Sequence, residues 1–224
     1  AGPPQSPGAP LPVQPAPPHE WRIVDVTDAH AVSAACAGMD AIINCTVVRP
    51  DPVAAWRVNL LGVQAVMRAA VAQGIKRVVH TGPFQVAQPG PAGYAWDDFV
   101  AADASPRPGT HLYIHTKYLG QELCRVYAEW YGLEVPALLF CNFVNPDQPA
   151  GRSLHPLTVS WRDAGVALRR AVEVATLPTP MEVFHIGADL PHGAYPNDKA
   201  KQLLGWQPRD TLAALYTRSQ KEEA

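Results

Sequence analysis

The chain has 224 residues, of which 47% are hydrophobic and 17% charged, a composition typical of a globular protein. Its 18 basic and 20 acidic residues nearly balance, so the sequence gives no electrostatic indication of a nucleic-acid or anionic-membrane partner. No apolar run is long enough to cross a bilayer, and no secretory signal pattern is present. These features predict a cytoplasmic protein that acts on small molecules.

The cysteines and histidines give no pattern typical of a metal site or a disulfide framework. The four cysteines contain no CxxC pair and stand beside apolar residues; they are Cys36, Cys45, Cys124 and Cys141. This pattern favours reduced, buried thiols. His111 and His115 are one helical turn apart, but no HExxH pattern or acidic partner accompanies them, so no metal is expected.

The N-terminal segment differs in composition from the rest of the chain. Residues 1–18 hold eight of the 24 prolines. Because proline lacks a backbone donor and disfavours helices and central strands, residues 1–20 are predicted to be an extended or disordered tail. After the tail, a short strand is predicted at 22–24. The helix that follows would be capped by Thr27 or Asp28 and would end at Gly38.

Strands and helices then alternate along the chain. Apolar strands are predicted at 41–46, 78–81 and 135–140, and long helices at 53–73 and 112–131. A loop rich in Gly, Pro and Asp spans 82–110. Weaker patterns predict a helix at 162–175, a strand at 182–186 and a helix at 197–204. This order predicts an α/β fold: a Rossmann-like, doubly wound parallel sheet over 21–146, followed by a small C-terminal α/β substrate region at 147–224.

The sequence Tyr113-Ile-His-Thr-Lys117 is the pattern most suggestive of chemistry. On a helix, residues four apart share a face, so the phenol and the ammonium would point the same way. A cation beside a phenol favours the phenolate, and such a pair can move a proton to or from a substrate hydroxyl. The same spacing also occurs on solvated helix faces, so the pattern alone leaves both interpretations open.

Other segments accompany this pair in a definite order. They are Asp25-Val-Thr-Asp28, Ala41-Ile-Ile-Asn-Cys-Thr-Val47, Asn59-Leu-Leu-Gly62, Asn142, Trp161-Arg-Asp163 and Asn197-Asp-Lys-Ala-Lys-Gln-Leu-Leu-Gly-Trp-Gln-Pro208. With the Tyr–Lys pair, they resemble motifs of the extended short-chain dehydrogenase/reductase family, the NAD-dependent epimerases and dehydratases of nucleotide sugars. The resemblance runs from about Trp21 to Leu212.

The resemblance implies hydride transfer with NAD or NADP on a nucleotide sugar or a related hydroxyl or carbonyl substrate. It implies that Tyr113 is the general acid or base, and that Lys117 stabilises the phenolate and holds the nicotinamide ribose. Further cofactor contacts are implied for Asp25, Val26, Cys45, Thr46 and Asn59, and a substrate contact for Asn142. The family also dimerises through the helices that correspond to 53–73 and 112–131.

Several of these residues have a structural alternative. Asp25 and Asp28 could serve merely as helix caps, and Asn142 could form a turn. The apolar faces of the two long helices could cover the sheet without forming a dimer interface. Asn59 could lie on a helix surface, although Gly62 inside the same helix argues for close packing.

Two departures from the family pattern concern cofactor binding and catalysis. The sequence contains no GxxGxxG turn between a strand and a helix, so we expect the family's N-terminal βαβ unit to be missing. Pro83 stands where the family has its catalytic Ser or Thr, and Thr81 is the nearest hydroxyl that could replace it. These departures leave an alternative open, a truncated or degenerate relative that acts as a binding or regulatory scaffold without catalysis.

Overall fold

The computed structural model describes residues 17–49, 51–87, 100–147, 155, 157–191 and 194–213. Residues 1–16 of the predicted tail and residues 88–99 of the predicted loop lie outside the described residues. The strands are β1 (Ala41–Asn44), β2 (Arg77–Pro83), β3 (Val135–Phe140), β4 (Asn142–Val144), β5 (Thr158–Ser160) and β6 (Met181–His185). The helices are α1 (Ala29–Cys36), α2 (Pro52–Trp56), α3 (Val63–Gln73), α4 (Leu112–Tyr131), α5 (Trp161–Glu173) and α6 (Asp198–Leu204).

A four-stranded parallel sheet organises these elements, in the order β1-β2-β3-β6. Strands β4 and β5 form a separate two-stranded parallel sheet. Strand β6, which the sequence placed in the C-terminal region, is therefore the fourth strand of the main sheet. A π-helical turn, Arg57–Gly62, joins α2 to α3 into one continuous helical segment.

Helices cover both faces of the main sheet. Val78 of β2 belongs to an apolar cluster built largely from α1, α3 and α4. Its neighbour Val79 belongs to a second cluster with residues of α5 and α6. Because successive strand residues point to opposite faces, these two clusters lie on opposite sides of the sheet. The predicted doubly wound, Rossmann-like α/β fold is confirmed.

Local sequence signals set the ends of several helices. The Asp28 carboxylate accepts hydrogen bonds from the backbone N–H groups of His30 and Ala31 and so caps α1. Helices α3 and α4 end at Gly74 and Gly132, whose φ angles of 70° and 62° favour glycine. These helices were predicted from the same signals.

Two strand predictions were wrong. No strand forms at 22–24: Ile23 is 91% exposed, and no described strand lies beside it to pair with it. Strand β1 ends at Asn44 rather than at residue 46. There the Asn44 side-chain oxygen accepts hydrogen bonds from the Thr46 amide and hydroxyl, which turns the chain out of the strand.

A helix that crosses a bilayer must be both long and apolar. None of the helices in the described ranges is both long and apolar enough to cross one.

Candidate functional site

A cavity with a volume of about 1030 Å³ opens at the carboxyl ends of β1, β2 and β3. Cys45 follows β1, Thr81 to Pro83 end β2, and Phe140 to Phe143 lie at and beyond the end of β3. The first turns of α4 close another side of the cavity with Tyr113 and Lys117. Ligands of open parallel sheets bind at this edge, so the cavity is the candidate site.

Tyr113 and Lys117, whose spacing predicted a shared face of α4, both line this cavity. Their side chains are largely buried, and the two residues are 9% and 3% exposed. The Lys117 ammonium donates a hydrogen bond to the Thr46 carbonyl oxygen at 3.3 Å. The pair therefore faces the cavity rather than solvent.

Burial controls the electrostatics of Lys117. Removal from water disfavours the ammonium and lowers the pKa of Lys117 to about 8, although the nearby thiols of Cys124 and Cys45 act in the opposite direction. His80 is completely buried close by. Desolvation, assisted by the charge of Lys117, holds the pKa of His80 well below its usual value, so that imidazole is neutral at neutral pH.

Thr81 is placed at the cavity, and so is Pro83. The Thr81 hydroxyl donates to the Asn44 carbonyl oxygen at 3.1 Å. Among the described lining residues, Thr81 and Tyr113 are the two that carry hydroxyl groups. The structure therefore brings a hydroxyl into the cavity that contains Tyr113 and Lys117, although the proline removes the one expected at position 83.

Asn59 lies outside the cavity lining and is fully buried. Its amide donates to the Val48 carbonyl at 2.8 Å and to the Thr116 hydroxyl at 3.0 Å, and its oxygen accepts from the Val48 amide at 3.0 Å. These bonds fasten the loop after β1 to α4. A side chain at Gly120 of α4 would collide with the Asn59 carbonyl oxygen, so the two helices touch through backbone at this point.

Asp25 and Val26 also lie outside the cavity lining. The Asp25 carboxylate accepts from the backbone and the hydroxyl of Thr27, both at 2.9 Å, which lowers the pKa of Asp25. Val26 packs so closely on Gly62 that a Cβ there would lie 2.8 Å from the valine side chain. In the described structure Asp25 therefore stabilises the turn before α1, and Val26 packs this segment against the π-helical turn.

Of the three remaining residues predicted to contact a ligand, two line the cavity and one does not. Cys45 and Asn142 line the cavity. Burial raises the pKa of the Cys45 thiol, while the Thr81 hydroxyl and Lys117 act against that change. Thr46 contributes its backbone carbonyl to Lys117 and is absent from the cavity lining itself.

Two further cavity residues, to which the sequence analysis assigned no site role, contact the Tyr113 ring. The Arg49 guanidinium lies over the Tyr113 ring, 5.2 Å from its centroid. The His111 ring meets the same ring edge-on at a centroid distance of 6.3 Å. Arg49 is the first charged residue after β1, and strand ends of parallel sheets form sites, so its position offered a signal.

The lining residues suit an anionic ligand with ribose hydroxyls. Lys117 and Arg49 are cationic, whereas no Asp or Glu is present among the described lining residues. A buried ammonium beside a phenol can hold a ribose and a reacting hydroxyl at the same place. The residues present therefore fit the nicotinamide end of a dinucleotide.

Comparison with known proteins identifies the family. The model of the NAD dependent epimerase/dehydratase family matches residues 6–172. The fold is similar to uronate dehydrogenase from Agrobacterium tumefaciens, with a TM-score of 0.73, 25% identity, and coverage of 89% of this chain and 73% of that one. It is also similar to MoeE5 in complex with UDP-glucuronic acid and NAD (TM-score 0.65, 18% identity, 84% and 80% coverage).

A third similar structure is a mutated uronate dehydrogenase, with a TM-score of 0.70, 23% identity and coverage of 84% of this chain. The chain spans 65% of the length of that enzyme. A search of curated proteins gave no match. The family match covers well over half of the chain, and the sheet order and the cavity described above agree with it. The chain belongs to the NAD-dependent epimerase/dehydratase family, within the extended short-chain dehydrogenases/reductases.

Proposed function

We propose that the protein is an NAD(P)-dependent oxidoreductase that acts on a hydroxyl or carbonyl carbon of a sugar, such as a nucleotide sugar. The observation that supports this proposal most directly is the meeting of Tyr113, Lys117 and Thr81 in one cavity at the carboxyl ends of the strands. Membership in the NAD-dependent family supports the cofactor, and the similarity to uronate dehydrogenase and to MoeE5 in complex with UDP-glucuronic acid supports the substrate class.

Tyr113 is the proton-transfer group in this proposal. When a substrate alcohol is oxidised, the Tyr113 oxygen accepts the hydroxyl proton; in the reverse direction the phenol returns it. A nicotinamide dinucleotide, held beside Tyr113 by Lys117, would supply the hydride chemistry when bound. Because Tyr113 is only 9% exposed, bulk water has little access to compete for this proton.

Lys117 supports Tyr113 and holds the cofactor ribose. An ammonium has three N–H donors, and the Thr46 carbonyl occupies one of them at 3.3 Å. Within the described residues the ammonium makes no other hydrogen bond, so the other two N–H groups can donate to ribose hydroxyls in the cavity. The same bond fixes the ammonium relative to β1, so the positive charge is in place before a ligand binds.

Thr81 takes the place of the family's catalytic hydroxyl in this proposal. Its hydroxyl donates to the Asn44 carbonyl, and rotation about one side-chain bond would redirect it to a substrate oxygen. Asn142 follows β3, which pairs with β2 on the side opposite β1. Its side-chain amide would contact the substrate.

The proposal is tested by following NADH and NADPH formation while sugars, sugar acids and nucleotide sugars are offered to the purified chain. Turnover that requires Tyr113 supports the oxidoreductase; an epimerase would instead interconvert two sugars without net cofactor reduction. Absence of cofactor binding by the folded chain would favour the alternative function, a non-catalytic binding or regulatory scaffold.

We further propose a cytoplasmic homodimer that pairs through the helical segment 53–73 and α4. Large apolar side chains on these helices remain exposed, among them Leu61 at 53%, Val126 at 40% and Trp130 at 81%. On α4, Leu119, Leu123, Val126 and Trp130 recur at helical spacing along one stripe. Exposed apolar stripes of this kind are typical of protein interfaces.

A further inference from the structure

The cavity contains an arginine, Arg49, that the proposed reaction does not use. Its guanidinium lies 5.2 Å from the centroid of the Tyr113 ring, in the wall of the same cavity. The residue is exposed, and its side chain makes no hydrogen bond or ion pair with any residue that the structure describes. Its five N–H donors are therefore available to a ligand.

The surroundings of Arg49 leave its charge uncompensated. No carboxylate occurs among the described residues that line the cavity. The nearest acidic residue in sequence, Asp51, is engaged elsewhere, because its carboxylate caps α2 by accepting from the Ala54 amide at 2.7 Å. A second cation, Lys117, lines the same cavity, so the charges there favour an anionic group near Arg49.

The cation–π contact with Tyr113, at 5.2 Å from the ring centroid, restrains the guanidinium. Arginine planes pack favourably on aromatic faces, and this contact reduces the number of conformations that the long side chain adopts. An arginine fixed in this way presents two parallel N–H donors, an arrangement that matches a carboxylate or phosphate better than a hydroxyl.

We propose that Arg49 is a specificity-determining residue that binds an oxyanion of the substrate, a carboxylate or a phosphate, beside the carbon that reacts at Tyr113. This inference rests on the proposed oxidoreductase function and narrows its substrate class to acidic sugars or sugar phosphates. Since the guanidinium packs on the ring of the proton-transfer residue, the anionic substituent and the reacting oxygen lie on the same sugar unit or on directly linked units.

The test measures ligand binding by titration calorimetry, first without cofactor and then with NADH. The probes are D-glucuronate, glucose 1-phosphate and D-glucose, which differ in whether they carry a carboxylate, a phosphate or no charge. The proteins are the native chain, Arg49→Gln, Arg49→Lys, and Arg169→Gln as a control. Arg169 lies on α5 outside the cavity lining and forms a surface ion pair with Glu173 at 3.6 Å.

The proposal predicts that at least one of the two anionic probes binds the native chain more tightly than D-glucose does. Arg49→Gln lowers the affinity for that anionic probe about 10-fold or more, which is the loss expected for one charge-assisted pair. The affinity for D-glucose stays unchanged. Arg49→Lys retains part of the affinity because it keeps the charge but loses the paired donors. Arg169→Gln binds like the native chain.

Three results would overturn the inference. One is equal binding of all three sugars by the native chain, or binding of none. Another is unchanged affinity for the anionic probes in Arg49→Gln. The third is a loss of NADH affinity in that variant with sugar binding intact, which would assign Arg49 to the cofactor phosphates. Because the first titrations need neither NADH nor turnover, failure of this inference and failure of the oxidoreductase proposal are recorded separately.

Discussion

The Lys117 ammonium donates a hydrogen bond to the Thr46 carbonyl oxygen at 3.3 Å and so ties α4 to the end of β1. These residues are far apart in the sequence, yet their contact positions the cation beside the cavity. Asn59 reinforces the same junction, since it bonds both to Val48 in the loop after β1 and to Thr116 in α4. The hydrogen bonds between α4 and the loop after β1 therefore hold Lys117 in position at the cavity.

The first prediction concerns the proton-transfer residue. Tyr113→Phe removes the hydroxyl and keeps the ring, so kcat should fall about 100-fold or more while NADH affinity stays near that of the native chain. Steady-state kinetics and calorimetric titration check the two parts. Tyr131→Phe is the matched control, because Tyr131 is 52% exposed at the end of α4 and should leave both quantities unchanged. Native-like turnover in Tyr113→Phe would contradict the assigned role.

The second prediction concerns the burial of Lys117. Its pKa of about 8 in the folded chain lies below the usual 10.5, so below pH 8 the buried charge destabilises the fold by about 3 kcal/mol. Between these two values the unfolded chain binds more protons, and native stability rises with pH. Lys117→Met should therefore raise the free energy of unfolding at pH 7, and the gain should shrink as the pH approaches 10.

Urea unfolding at pH 7 and pH 9.5 measures this difference. Lys76→Met, at an exposed position just before β2, is the control and should show no pH-dependent difference from the native chain. A gain from Lys117→Met that is the same at both pH values, or larger at pH 9.5, would show that burial of the charge is not the cause.

The third prediction concerns the hydroxyl of Thr81. Thr81→Val keeps the shape of the side chain and removes its donor, so kcat should fall about 100-fold with little change in NADH affinity. Thr81→Ser restores a hydroxyl at the same position and should recover most of the activity. The kinetics of the two variants are compared directly; equal activities in the valine and serine variants would exclude a role for this hydroxyl.

The fourth prediction concerns the contact between α4 and the π-helical turn. A methyl group at Gly120 would collide with the Asn59 carbonyl oxygen, so Gly120→Ala should destabilise the fold by about 1–3 kcal/mol. Gly165→Ala in α5 is the control, because its Cβ would meet nothing within 4 Å and alanine favours the helix. Thermal unfolding compares the two; a larger loss for Gly165→Ala would disprove the close contact.

The fifth prediction concerns the proposed dimer. Light scattering of the native chain should give twice the monomer mass. Val126→Glu places a charge in the exposed stripe of α4 and should shift the population toward monomers, because burying an unpaired carboxylate is costly. Glu129→Gln on the same helix should not. A monomer mass for the native chain would refute the dimer.

Local signals predicted the elements that carry the catalytic pair. The bounds of α4 follow from Gly132 and from the helical pattern beginning at Leu112, and the structure gives 112–131. Strand β3 is a continuous apolar run at 135–140 and was also predicted with its observed bounds. Since residues four apart share a helix face, the spacing predicted that Tyr113 and Lys117 lie side by side, but not that they face a cavity rather than solvent.

Features set by contacts between distant segments could not be predicted in this way. Ile23 and its neighbours have the composition of a strand, but a strand also needs a partner, which no local pattern supplies. The partners of Asn59 lie 11 and 57 residues away in the sequence, so its buried position could not be distinguished from a ligand contact. Arg49 lies over Tyr113 only because the β1 loop folds back onto α4.

The central claim is that this cavity binds a nicotinamide cofactor at Lys117. Titration calorimetry of NADH into the purified, folded chain tests it most directly, with Lys117→Met measured in parallel. We expect micromolar binding by the native chain and at least 10-fold weaker binding by the variant, since the ammonium is the proposed ribose ligand. No binding of NADH by a chain that unfolds cooperatively, or equal binding by both proteins, would contradict it.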